Sequence, residues 1–214
     1  LGRELAIADF NSVVREFQQA NEEQSQIDAK AISIANQYLT GADVSKISVQ
    51  ELKDAIDKAS PPVKVQVYYL ASDIRSRNWQ RSEDKPILER TIPIFEALIA
   101  SDKDKRFHAN YGQLGFALKD KRRPDYAAAE AALSTAIDIR GPAAENGWES
   151  YELNRAICRI KQDQEFLQNK PSKPDKQNAI MSDLNIARRT YPSLYDDPDI
   201  IKWLHLNSPI TGNP

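Results

Sequence analysis

Residues 108–142, from His108 to Pro142, read HANYGQLGFALKDKRRPDYAAAEAALSTAIDIRGP and write two amphipathic helices back to back. Tyr111, Leu114, Gly115 and Leu118 fall at i, i+3, i+4 and i+7 of the first, and Tyr126, Ala129, Leu133 and Ala136 at i, i+3, i+7 and i+10 of the second. Each set is one apolar stripe on a 3.6-residue helix. Between them Asp120-Lys-Arg-Arg-Pro124 predicts a tight turn, because Pro124 fits a first helical turn and disfavours a helix running through it. Gly141-Pro142 ends the second helix. Gly115 and Ala129 lack the bulk that would hold the helices apart, so the pair is expected to close as a helical hairpin with its nearest backbone approach there.

The order of an aromatic, a Leu-Gly pair, an alanine, a large apolar residue and another alanine resembles one tetratricopeptide repeat. The turn is about two residues longer than the repeat template, and the closing proline arrives one place late. The resemblance implies an all-α superhelix of antiparallel helix pairs that presents a groove to a protein or peptide.

Outward from this unit the chain is punctuated for helices throughout. From about Glu4 to Leu39 it contains no glycine or proline. Phe10, Val14 and Phe17 make one seam, and Ile27, Ala31, Ile34 and Tyr38 continue its spacing across a polar middle, Gln18 to Gln26. Residues 1–41 therefore predict one long helix, with a hairpin turning near Asn21 to Ser25 as the alternative. Such a seam either packs on the chain's own repeats or self-associates as a coiled coil. Ser48-Val-Gln-Glu51 is a capping box opening a helix through Ala59. Ser60-Pro-Pro62 restarts the chain, and Val63, Val67, Leu70, Ala71 and Ile74 form the next stripe. Pro86 opens a helix carrying Leu88, Thr91, Phe95 and Leu98, which Pro93 should bend.

Beyond Pro142 a helix is expected from Glu145 to Leu167, with Leu153, Ala156, Ile157, Ile160 and Leu167 on one face. A partner helix follows with Ile180, Leu184, Ala187 and Tyr191. Three pairs result, at 62–101, 104–142 and 145–191, within a repeat domain spanning 42–214. A short helix at 197–206, capped by Asp197 and carrying Ile200, Ile201, Trp203 and Leu204, is expected to cover the last pair, as the ends of helical arrays require.

Composition narrows the function classes. The 214 residues are 41% hydrophobic and 28% charged with a formal net charge of −2, which gives no general attraction to nucleic acid or anionic membrane. No apolar run approaches the roughly 20 residues of a membrane span. The single Cys158 excludes an intrachain disulfide and a cysteine-rich metal site, and fits either side of a membrane. The chain opens Leu1-Gly-Arg-Glu with no Met and no signal-peptide pattern, as expected of a processed chain or a piece of a longer one.

Chemistry-bearing residues are sparse. His108 and His205 are far apart with no metal-ligand spacing, and His108 is expected at a helix start facing water. Cys158 lies beside Ile157 and near Ile160, as a buried small hydrophobe does. Asp196, Asp197 and Asp199 lack a calcium-loop pattern and suit helix capping. There is no phosphate-binding glycine loop and no nucleophile elbow, and the basic runs at 75–77 and 119–123 lack interleaved aromatics. Neither an enzymatic reaction nor a cofactor is expected.

By the tetratricopeptide resemblance, ligand-facing positions on the first helices fall at Tyr68, Tyr69, Ser72 and Arg75, then at Gln113, Phe116 and Lys119, and at Asn154. The lysine-asparagine clamp by which some members hold a C-terminal carboxylate is not reproduced, Asn154 being the one residue that resembles part of it. A protein-binding scaffold is the leading expectation. A regulatory or sensor module, coupled through the N-terminal helix to a membrane anchor or effector domain, is the alternative.

Overall fold

The computed structural model describes residues 2–43, 46–191 and 197–207, with side chains of the first helix described from Arg15 onward. The regular structure among these residues is entirely helical. Helix α1 runs unbroken from Gly2 to Thr40. Its polar middle does not turn, because Gln19 and Gln24 donate to Glu23 and Asp28 one turn on, at 3.1 and 2.9 Å. Only the C-terminal part of α1 is covered: Ala31, Ile34, Ala35, Tyr38 and Leu39 are buried, whereas residues Arg15 to Glu23 are exposed on every face. Phe17, expected in the seam, is 68% exposed, and the side chains of Phe10 and Val14 lie outside the described residues.

Helix α2 (Val49–Lys58) starts at Ser48, whose hydroxyl accepts from the Glu51 amide at 3.0 Å, the serine half of a capping box. Helix α3 (Pro61–Arg77) follows after two residues. Its N-cap Ser60 turns outward, the amide and hydroxyl donating to Asp28 on α1 at 2.8 and 2.6 Å, and these bonds hold the Asp28 carboxyl below its usual range. The helix expected from Pro86 is two: α4 (Lys85–Glu89) and α5 (Thr91–Ser101). Pro93 has no amide hydrogen for the Glu89 carbonyl and crowds it, so the helical ladder is interrupted at Arg90 while the backbone there keeps helical angles, φ −65° and ψ −19°. Helices α2 and α3 each pack on α1 and on α5 around Leu52, Ile56, Val67, Ala71, Ile94 and Phe95.

Helices α6 (His108–Asp120) and α7 (Tyr126–Arg140) make the closest pair in the chain. Asp125 caps α7, accepting the Ala128 amide at 3.0 Å, so Pro124 stands one residue before the cap and not in the first turn. The helix expected at 145–167 is three pieces, α8 (Ala143–Asn146), α9 (Ser150–Lys161) and α10 (Gln164–Leu167). The first break lies at Gly147 and Trp148, both left-handed with φ of 71° and 64°. Glycine adopts this conformation freely and tryptophan does not. Arg140 holds it, donating to the Gly147 and Trp148 carbonyls at 3.1 and 3.0 Å while its guanidinium closes on Glu152. Asp163, capping α10, makes the second break, and Leu167 is 56% exposed instead of facing the core.

Helix α11 (Pro174–Ala187) packs on α9, as does α12 (Pro198–Asn207). Asp197 caps α12 through the Asp199 and Ile200 amides, and Ile200 and Trp203 complete a core with Ala156, Ile160, Ile180 and Leu184. Asp196 lies outside the described residues. The helices expected at 62–101, 104–142 and 145–191 are thus α3 with α5, α6 with α7, and α9 with α11. Each packs on its partner, and α5 on α6 and α7 on α9 continue the series.

A Cβ built on Gly115 would stand 2.6 Å from Leu133 Cγ and 3.2 Å from the Ala129 carbonyl oxygen. Leu133 is fully buried and has no room to retreat. Gly115→Ala is therefore expected to destabilise rather than to gain the helix propensity of alanine, by roughly 1–3 kcal/mol, with Gly115→Leu costing at least as much. Urea midpoints beside the parent measure this. For comparison, Ala127→Leu at an exposed position of α7 should stay within about 0.5 kcal/mol.

Candidate functional site

The face to build is the one shared by α3, α6 and α9, since α6 packs against both of the others. On α3, Tyr68 is half-buried with its ring edge-on to Tyr69 at 5.3 Å and to Phe95 at 6.4 Å. Tyr69 is 66% exposed. One turn on, the Ser72 hydroxyl is buried with no hydrogen-bond partner. Arg75 reaches across to α6: its Nε donates to Gln113 Oε1 at 2.6 Å, and its guanidinium lies over the Phe116 ring at 5.1 Å. Burial pulls the Arg75 guanidinium below its ordinary value, with Asp120 and the Tyr68 hydroxyl opposing the shift. The group remains charged at any ordinary pH.

Gln113 and Phe116 are both buried, each with 8% of its surface exposed. Phe116 rests in turn on Tyr151 of α9, ring centres 5.8 Å apart. Three of the eight expected positions, Arg75, Gln113 and Phe116, are in this way brought into one contact, with Tyr68 and Tyr69 paired farther back along α3. Of the remaining three, Ser72 lies between these groups on α3 with its hydroxyl buried, and the other two stand apart. Lys119 is closed on Asp120 at 2.5 Å, and Asn154 donates to Ser150 of its own helix at 2.7 Å.

Periodicity does not point to Tyr151, which is fully buried against Gly112: a Cβ on that glycine would collide with the tyrosine ring. Nor does it point to the arginines of α9. Arg155 grips Asp183 of α11 through two nitrogens at 3.0 and 2.7 Å and reaches Ser134 of α7. Arg159, one turn on, bridges Asp183 and Glu130. The signal available in the sequence is the i, i+4 pair of arginines on a helix that otherwise carries an apolar stripe.

The titratable groups that sequence singled out are held inside the packing. Cys158 is fully buried, which pushes its thiol up to about 12, far from nucleophilic character at neutral pH. His108 does not face water freely. It is half-buried, its Nδ1 is hydrogen-bonded with the Tyr151 hydroxyl at 3.0 Å, and its ring stands edge-on to Trp148. Among the described residues no group of three or more His, Cys, Asp or Glu is placed to hold a metal ion. The basic runs carry local partners: Arg77 pairs with Asp73 at 2.9 Å and Arg122 with Glu89 at 2.8 Å. No described helix is long and apolar enough to cross a membrane.

With this geometry in hand, comparison with protein families, curated proteins and solved structures yields no matching family model, no matching curated protein and no matching solved structure.

Burial, and then the charge of Arg140, lower the pKa of His108. Its unfolded value is about 6.5, so the unfolded chain binds the proton first as pH falls. Stability is therefore expected to be intact above pH ~6.5 and to decline below it until the folded pKa is reached. Urea midpoints between neutral and mildly acidic pH should show this slope in the parent and a shallower one in His108→Gln.

Proposed function

We propose that this chain is a non-enzymatic scaffold of tetratricopeptide-like helix pairs, part of a larger protein or assembly, that binds a protein or peptide along α3, α6 and α9. The observation that carries the reading is the contact of Arg75 with Gln113 and Phe116, which joins the first helices of two successive pairs. Stacked pairs with each first helix against the next make an extended surface from side chains distant in sequence. Exposed Tyr69 beside half-buried Tyr68 adds aromatic area of the kind that anchors interfaces. The architecture by itself names no ligand, because one fold carries many functions.

Selection of randomised displayed peptides against the immobilised full chain tests this. The expected result is convergence on a shared pattern, with a selected peptide shifting backbone amide resonances on α3, α6 and α9. Selection without convergence, or shifts confined to α7 and α11, would refute it.

Helix α1 favours a second reading, a regulatory or sensor module coupled through this helix to a membrane anchor or effector domain. Its support is the run of exposed residues over the two and a half turns from Arg15 to Glu23. Self-association through the same helix is the competing use of that surface. Sedimentation at rising concentration decides between them: a monomer throughout removes self-association.

A further inference from the structure

Most arginines that this fold draws out of water are matched to carboxylates, and Arg90 is instead held by the backbone carbonyls of Leu39 and Gly41 at 3.2 and 2.9 Å. Arg140 is closed on Glu152, and Arg155 and Arg159 on Asp183. Arg75 touches no carboxylate among the described residues. Its polar contact is the neutral amide of Gln113, and Asp120, whose charge acts on it from farther away, is in contact with Lys119 instead. Because Gln113 gives its oxygen to Arg75, the end of its amide left without a partner is the NH2 group, a donor. The guanidinium and the amide thus collect hydrogen-bond donors around a positive charge with no carboxylate in contact.

We infer that Arg75 and Gln113 form an anion subsite that takes the side-chain carboxylate of an acidic residue in a bound peptide. This rests on the groove reading above. With the Nε edge of Arg75 engaged by Gln113, the Nη1–Nη2 edge is the one left to grip a carboxylate through two parallel bonds. A phosphate dianion fits less well, because Lys119, the other cation among the expected ligand-facing positions, is closed on Asp120. The subsite also sits at the junction of α3 and α6, with Tyr68 and Tyr69 behind it on α3 and α9 beyond α6. A segment lying across these helices passes over Arg75 rather than ending there, which favours a side chain over a chain terminus.

The test selects peptides displayed within a loop, so that no free carboxyl terminus is present, on the full chain, on Arg75→Gln and on Gln113→Glu. The second variant keeps the shape of the side chain and sets a carboxylate against Arg75, neutralising it in place. The parent should enrich Asp or Glu at one fixed position, and changing that residue to Gln or Asn in a selected peptide should weaken binding about tenfold or more. In both variants that difference should vanish. Convergent peptides without an acidic position, or an acidic preference unchanged in both variants, would overturn the subsite and leave the groove standing. An acidic preference seen only in a library with free carboxyl termini would overturn the side-chain assignment. Selection without any convergence removes the groove and the subsite together.

Discussion

Helix α6 is bare on two adjoining faces, and the rest of the array is arranged around that fact. Gly115 lets the Ala129 carbonyl and Leu133 of α7 reach its backbone, and Gly112, three residues earlier, does the same for the Tyr151 ring of α9. Helix packing in an interior leaves few voids, so two missing side chains mean two close approaches rather than two cavities. The consequence extends outward through named contacts. Tyr151 is fully buried because Gly112 admits it, Phe116 lies on Tyr151, and Arg75 lies on Phe116. The position of Arg75 is tied to a glycine three contacts away.

Charge then sets the angle at which the last pair joins. Where α7 ends, Arg140 satisfies two left-handed carbonyls and a carboxylate at once, so the turn into α9 is held by one buried side chain. A buried pair of this kind contributes little net stability, since desolvation offsets attraction, but loss of either partner strands a buried charge at a cost of roughly 3–5 kcal/mol. Arg155 and Arg159 apply the same chemistry across α9, tying Glu130 and Ser134 of α7 to Asp183 of α11. Three helices share one polar seam, whose geometry tolerates little sliding because the Arg155 contact with Asp183 is bidentate.

These two constraints explain what was legible in the sequence. Apolar stripes at helical spacing located α3, α6, α7, α9 and α11, and caps located α2 and α12, because burial of one face and satisfaction of end amides are local demands. The interruption at Arg90 was announced by Pro93, three residues on, whereas the break at Gly147–Trp148 was hidden because it depends on an arginine seven residues away. Gly112 is indistinguishable from a weak helical position until Tyr151 is known to face it. Gln113 is the clearest limit: a stripe analysis assigns a polar side chain to the surface, and this one is buried because a partner 38 residues earlier occupies its oxygen.

That partner also shows why residue type alone does not give a role. The fold uses arginine as a structural clasp wherever a carboxylate faces it, and on α3 it places the same side chain against a ring and an amide. Drawing a guanidinium partly out of water without an opposite charge in contact is unfavourable, as the lowered pKa of Arg75 reflects. The charge-assisted hydrogen bond to Gln113 returns about 1.5–3 kcal/mol and stacking on Phe116 about 0.5–2 kcal/mol, against the cost of drawing the charge out of water. A methionine would fill the gap between α3 and α6 with no charge to desolvate. Stability therefore gives a weak account of Arg75, and an acceptor arriving from outside the chain gives a stronger one.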